Sequence, residues 1–390
     1  GNSRKFWSFK KRMEWTNDFF WVYWEVSLVM IKLSKLTVLV FSLLIFPLHS
    51  IEISKDLKLL DLSKVNEESC RYSGRGALTM NNKFSEFVQG HSDALPADGA
   101  SMFIEDNVAY LNNAFAGYGS DKEDNIFKKR IIELANSNSF KKIDWEGKGG
   151  SSPSFVTTII IKSLAYSTYY LKTKNKLSDS EISQISKYVN ELDKNTFLRS
   201  NGRYKSLPGG TYIAIDQRFS RGTNLMLYGA AINNKEFFLE GYNRYLEQLR
   251  TLDKRKVFSK NLRHNNETLH HVIQGAEVLR LNGFDVYDMK FKKGTLRSQM
   301  EIHAKNLIKN NNKEVKTSGD MTARPISIIK TRGYGAHVAW IPFYLNDPNN
   351  KTESIEKVHE IASGFSLDDY NGGQLAIHSG CLYGKNYTRY

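Results

Sequence analysis

Apolar residues recur at three- to four-residue spacing along most of the chain from Met102 onward, and polar stretches cut this pattern into pairs of helix-length segments. The first pair is Met102 to Ala116 and Asn125 to Ala135, separated by Gly117 to Asp121. The second is Phe155 to Leu171, opened by Pro153 in its first turn, and a helix capped by Ser178 or Asp179 with Ile182, Ile185, Tyr188, Val189 and Leu192 on one face. Gly222 to Ile232 pairs with Lys235 to Leu249, and Asn265 to Leu281 pairs with Gly294 to Leu307. Asn282 and Gly283 provide a stop signal for the helix before them. Further helices are expected around Trp340 and over Ser354 to Ala362. No alternating run is long enough for a sheet, so the pattern predicts an all-α domain of antiparallel helix hairpins, either a solenoid or a closed ring. The lack of a fixed repeat period favours the ring.

Between the pairs lie loops rich in Gly, Asn and Lys. Residues 197–221 form the longest, and a loop of that length in a folded domain is usually functional or disordered. It carries Tyr212 in a glycine-flanked setting after Pro208. A second cluster, Thr331 to Tyr344, places Arg332, Tyr334, His337 and Trp340 around Gly333 and Gly335. An arginine and a tyrosine there could bind a carboxylate and deliver a proton, or simply pack a terminal helix.

Charge narrows the choice of partner. The 390 residues carry a net charge of +14, with a pI near 9.4, which points to an anionic partner: nucleic acid, a membrane surface or an acidic polysaccharide. Residues 30–50 have the form of a signal peptide, with Lys32 and Lys35, an apolar run from Leu36 to Leu48 and a small residue at Ser50. An uncleaved membrane anchor is the alternative. Residues 1–29 are then an anomalous N-terminal extension, and 51–390 the exported domain. Export leaves Cys70 and Cys381, the two cysteines, able to form one bridge between the terminal segments. With no nucleic-acid motif in the chain, nucleic acid is not the expected partner. No nucleotide-binding loop is present either, and the donor set matches no structural or catalytic zinc site. No cofactor and no metal is expected, and a monomer is.

The densest chemistry lies in Arg263 to Asp288, RHNNETLHHVIQGAEVLRLNGFDVYD, where Arg263, His264, His270 and His271 crowd the start of a helix expected to be capped by Asn265. Positive partial charge at a helix N-terminus adds to the guanidinium there and favours an anion. From Lys256 this stretch resembles the active-site helix of the alginate lyase superfamily, in which an arginine is followed seven residues on by a tyrosine and the segment closes on a motif like NGFDVYD. Two further stretches, Phe155 to Leu192 and Arg221 to Phe238, resemble the family's preceding helix pair and its Asn-His helix. The resemblance spans roughly residues 100–310 and implies an incomplete (α/α) toroid that cleaves a uronate polymer by β-elimination.

That reaction needs neutralisation of the uronate carboxylate, a base for the C5 proton and an acid for the departing oxygen. By position, the resemblance assigns the neutralising role to Asn224 and Arg263. It also departs from the family: Leu225 stands at the catalytic histidine, Tyr228 at the tryptophan and His270 at the tyrosine. Either His270 takes over proton transfer, helped by His271 or by Tyr212 or Tyr334, or the site only binds an acidic glycan. Arg221, Tyr212, Tyr228, Arg332 and Tyr334 are the expected substrate contacts.

Overall fold

In the computed structural model, described for residues 55–65, 107–137, 153–198, 215–259, 262–310, 338–363, 371–372 and 375–383, the apolar periodicity folds as a succession of helix hairpins. The first pairs α1 (residues 107–115) with α2 (Asp121–Asn136), and the second pairs α3 (Pro153–Thr173) with α4 (Asp179–Leu198). Next come α5 (Ile215–Ile232) with α6 (Lys235–Leu249), and α7 (Leu262–Leu281) with α8 (Leu296–Asn310). Shorter helices follow, α9 (Trp340–Leu345), α10 (Glu353–Ser363) and α11 (Ser379–Tyr383). The domain is all-α, of the α/α toroid class. One two-residue ladder, Asn371–Gly372 against Ile377–His378, is the strand pairing among the described residues.

Local signals set the helix starts. Ser120 and Glu123 form a reciprocal capping box at α2, and Ser178 and Glu181 repeat it at α4, where Ser178 Oγ accepts from the Glu181 amide and Glu181 accepts from the Ser178 amide. Asn234 caps α6 by accepting from the Phe237 amide. At the far end of α7, Gly283 adopts φ +89°, and the Phe284 amide reaches back to the Leu279 carbonyl at 2.9 Å.

Two starts differ from the sequence pattern. Helix α5 begins at Ile215, seven residues before Gly222, and Phe219 of this earlier stretch already lies in the core. Helix α7 begins at Leu262, so Asn265 is an interior residue and not the cap; its Oδ1 accepts from the Ser259 amide of the preceding loop at 3.0 Å.

Helix α5 is the centre of the packing, with α3, α6 and α7 against it. Residues 219–231 are buried apart from Arg221. Its seam with α6 is a backbone contact: a Cβ on Gly229 would lie 2.4 Å from the Phe238 nitrogen, and one on Gly241 2.5 Å from the Met226 nitrogen. The segment 55–65 lies across two helix ends. Asn233, after α5, accepts from the Leu57 amide, and Asn282, after α7, exchanges two hydrogen bonds with the Lys58 backbone.

Every described residue belongs to the compact unit Ile53–Tyr390. The extension 1–29, the signal-like stretch 30–50, Cys70, Tyr212, Arg332 and Tyr334 lie outside the described residues. Cys381 is disulfide-bonded, and the sequence holds one other cysteine, Cys70. Among the described residues no helix is long and apolar enough to cross a membrane, and no group of three His, Cys, Asp or Glu side chains could hold a metal ion.

Candidate functional site

The start of α7 is threaded through the core, so its polar residues must find partners inside the protein. Asn265, Asn266, His270, His271 and Gln274 are all buried. Arg263 lies at the second position of the helix, with its side chain outside the described set.

The first polar cluster centres on His303 of α8, which has no exposed surface. Asn265 Nδ2 lies 2.9 Å from its Nδ1, and Asn266 Oδ1 lies 3.0 Å from its Nε2. Two donors of fixed type assign the protons. The Ser259 amide donates to Asn265 Oδ1, which leaves Nδ2 to donate to the imidazole. The Trp340 indole N–H donates to Asn266 Oδ1 at 2.8 Å, which makes that oxygen an acceptor for the ring's Nε2–H as well. Both constraints give the same neutral tautomer. Burial, aided by the nearby His270 imidazole, lowers the His303 pKa from 6.5 to about 3.

The second cluster joins α7 to α3. Lys162, fully buried, places Nζ 2.6 Å from His271 Nδ1 and 2.6 Å from Gln274 Oε1. Gln274 Nε2 donates to the Leu375 carbonyl at 2.9 Å and to the Tyr166 hydroxyl at 2.7 Å. Burial pushes the Lys162 pKa well below its ordinary value. The His271 pKa also falls well below 6.5, through burial first and then the proximity of Lys162 and His270. Two basic groups in contact in the interior cannot both carry a proton, so this pair holds one positive charge at most.

Asn224 and His270 come to one helix crossing. Thr223 Oγ1 donates to the His271 carbonyl at 2.8 Å, and Asn224 and His270 are the chain neighbours of those two residues on α5 and α7. Asn224 is 1% exposed and receives a 3.4 Å hydrogen bond from Ser220. His270 is likewise 1% exposed. Leu225, beside Asn224, is a buried core residue.

Two expected contacts have other positions. Tyr228 is fully buried, its hydroxyl 2.9 Å from that of Ser186 on α4 and its ring edge-on to Phe237 on α6, so neither face is open to a sugar. Arg221 points to Asp193 on α4, whose carboxylate also receives Arg244 of α6 at 2.9 Å. This arrangement ties three helices together around one buried carboxylate.

No protein-family model matches the chain, and neither does any curated protein. Solved structures do. Alginate lyase A1-III from Sphingomonas species A1 aligns with a TM-score of 0.55 at 13% identity, covering 87% of this chain and 99% of that one. A tyrosine-to-phenylalanine variant of that enzyme complexed with a tetrasaccharide aligns with a TM-score of 0.54 at 14% identity, covering 85% and 97% of the two chains. The chain has a divergent alginate lyase fold. A histidine-to-alanine variant of alginate lyase A1-III, also complexed with a tetrasaccharide, gives a TM-score of 0.54 at 15% identity, over 87% of this chain and 98% of that one.

Within this alginate lyase fold, sequence reasoning missed Lys162, Gln274, Asn266 and His303. Lys162 left one visible signal, as the single charge within the apolar run FVTTIIIKSLAYSTYYL. The others pair across helices far apart in sequence and left none. Chemically, the crossing of α5 and α7 sets the Asn224 amide and the His270 imidazole beside one interhelix bond, and next to it His271 meets the buried amine of Lys162 from α3.

Proposed function

We propose that the protein is an exported polysaccharide lyase that cleaves a uronate-containing, alginate-like polysaccharide by β-elimination. The observation that carries this reading is the fold match over nearly the whole length of alginate lyase A1-III. The residues at the α5–α7 crossing support it, because Asn224 and His270 stand one residue either side of a direct contact between those helices. In this reading Asn224 and Arg263 neutralise the uronate carboxylate, which acidifies the adjacent C–H, and His270 transfers the proton. The net charge of +14 suits an anionic polymer, and the signal-like stretch 30–50 suits export.

A second reading has one observation in its favour. Leu225, where the resemblance expects a catalytic histidine, is an apolar core residue at 2% exposure and cannot move a proton. A protein that binds the acidic glycan without cleaving it fits that fact. Incubation with polymannuronate, polyguluronate and other polyuronates separates the two: a lyase generates the ultraviolet absorbance of an unsaturated uronate end, and a binding protein retains the polymer without it.

A further inference from the structure

The Lys162–His271–Gln274 cluster does something a packed core does not require. Lys162 and Tyr166 stand one turn apart on α3, and His271 and Gln274 one turn apart on α7, so a row of polar groups joins the two helices. The direction of the bonds at Gln274 follows from one fixed point. The Leu375 carbonyl can only accept, so Gln274 Nε2 is the donor and its Oε1 the acceptor. Lys162 must therefore donate to Gln274, which orients the amine with its Nζ 2.6 Å from His271 Nδ1, where a second N–H can be donated.

An imidazole that accepts at Nδ1 carries its proton on Nε2. In His271 that nitrogen is buried and has no hydrogen-bond partner among the described residues. His303, as deeply buried, has both nitrogens satisfied. A buried N–H with no acceptor is costly, and in a native protein it is accounted for by strain, by an ordered water or ion, or by a role in binding or catalysis. The α5–α7 contact puts this group one residue from His270 and, through Thr223, one residue from Asn224.

We propose that Lys162 is a positioning residue that holds His271 as the Nε2–H tautomer, so that this N–H is offered to a carboxylate oxygen of a uronate chain. The ligand rests on the lyase reading above, whereas the tautomer does not. Lys162 does not touch the substrate; it acts through His271, and Gln274 and Tyr166 act through Lys162.

Nitrogen-15 NMR of the histidine rings in the intact protein tests this, with His271 assigned by the loss of its signals in His271→Gln. The wild type should show His271 with its proton on Nε2. Lys162→Met, similar in length and lacking donors, should lose that preference while the His303 signals stay unchanged. A short oligomannuronate should move the His271 Nε2–H resonance. A wild-type His271 protonated on Nδ1 overturns the role of Lys162 whether or not Lys162→Met folds, and leaves the lyase reading intact. An unchanged tautomer in Lys162→Met overturns that role too. An Nε2–H tautomer with no response to any oligouronate overturns the proposed ligand and counts against the lyase reading itself.

Discussion

Two buried histidines, His271 on α7 and His303 on α8, are held on opposite terms. His303 has its two ring nitrogens bonded to two asparagines whose own orientations are fixed by a backbone amide and an indole. His271 is fixed on one side by Lys162 and has no partner on the other among the described residues. The same burial thus leaves one imidazole with both nitrogens bonded and the other with one nitrogen unpartnered among the described residues. Hydrogen-bond satisfaction, more than burial or pKa, distinguishes these two histidines.

The largest predicted effect lies on the satisfied side. His303→Ala removes a packed ring and leaves two buried asparagines short of a partner, so it should cost about 3–5 kcal/mol in urea unfolding. A loss under about 1 kcal/mol would erase the contrast. The acid limb offers a finer check. The His303 pKa is about 3 in the folded protein against an ordinary 6.5, so the unfolded chain binds a proton that the folded one does not. Its stabilising contribution is complete above pH 6.5 and is lost as pH falls towards about 3, at about 1.4 kcal/mol per pH unit. His303→Gln should flatten that slope by one proton, with a residual slope of the same sign from His271, whose pKa is also lowered.

The α5–α6 seam, where glycines bring two helix backbones together, calibrates the polar clusters. Gly229→Ala forces a Cβ to within 2.4 Å of the Phe238 nitrogen, and the helices must part, at about 1–3 kcal/mol. Thermal unfolding would register this as a lower midpoint, and no change would mean that the seam is looser than its geometry. The smallest effect is expected at Tyr228. Tyr228→Phe loses only the bond to Ser186, about 0.5–1.5 kcal/mol, with glycan turnover unchanged. A loss of turnover at full stability would return Tyr228 to the substrate cleft.

How much of this was legible in the sequence depended on the range of the interaction. Helix α6 runs from Lys235 to Leu249, as its apolar spacing predicts, with Asn234 as a local cap, and Gly283 ends α7 as expected. Both signals act within one or two turns. Asn265 shows where local reasoning fails: it has the composition of a cap, but its partners are Ser259 and His303, the latter on another helix. Tyr228 and Arg221 have the chemistry of sugar contacts, and only the three-dimensional neighbours Ser186, Phe237 and Asp193 show what they do. Lys162 was visible as a charge in an apolar helix, yet nothing in the sequence pointed to His271 as its partner.

The central claim, that this divergent alginate lyase fold still performs elimination through α7, is tested most directly by the unsaturated-uronate assay on wild type and His270→Ala side by side. Ultraviolet absorbance should grow when the wild-type protein acts on a polyuronate and be abolished in His270→Ala, with both proteins equally folded by circular dichroism. Undiminished product from His270→Ala, or no product from the wild type on any polyuronate, would contradict it.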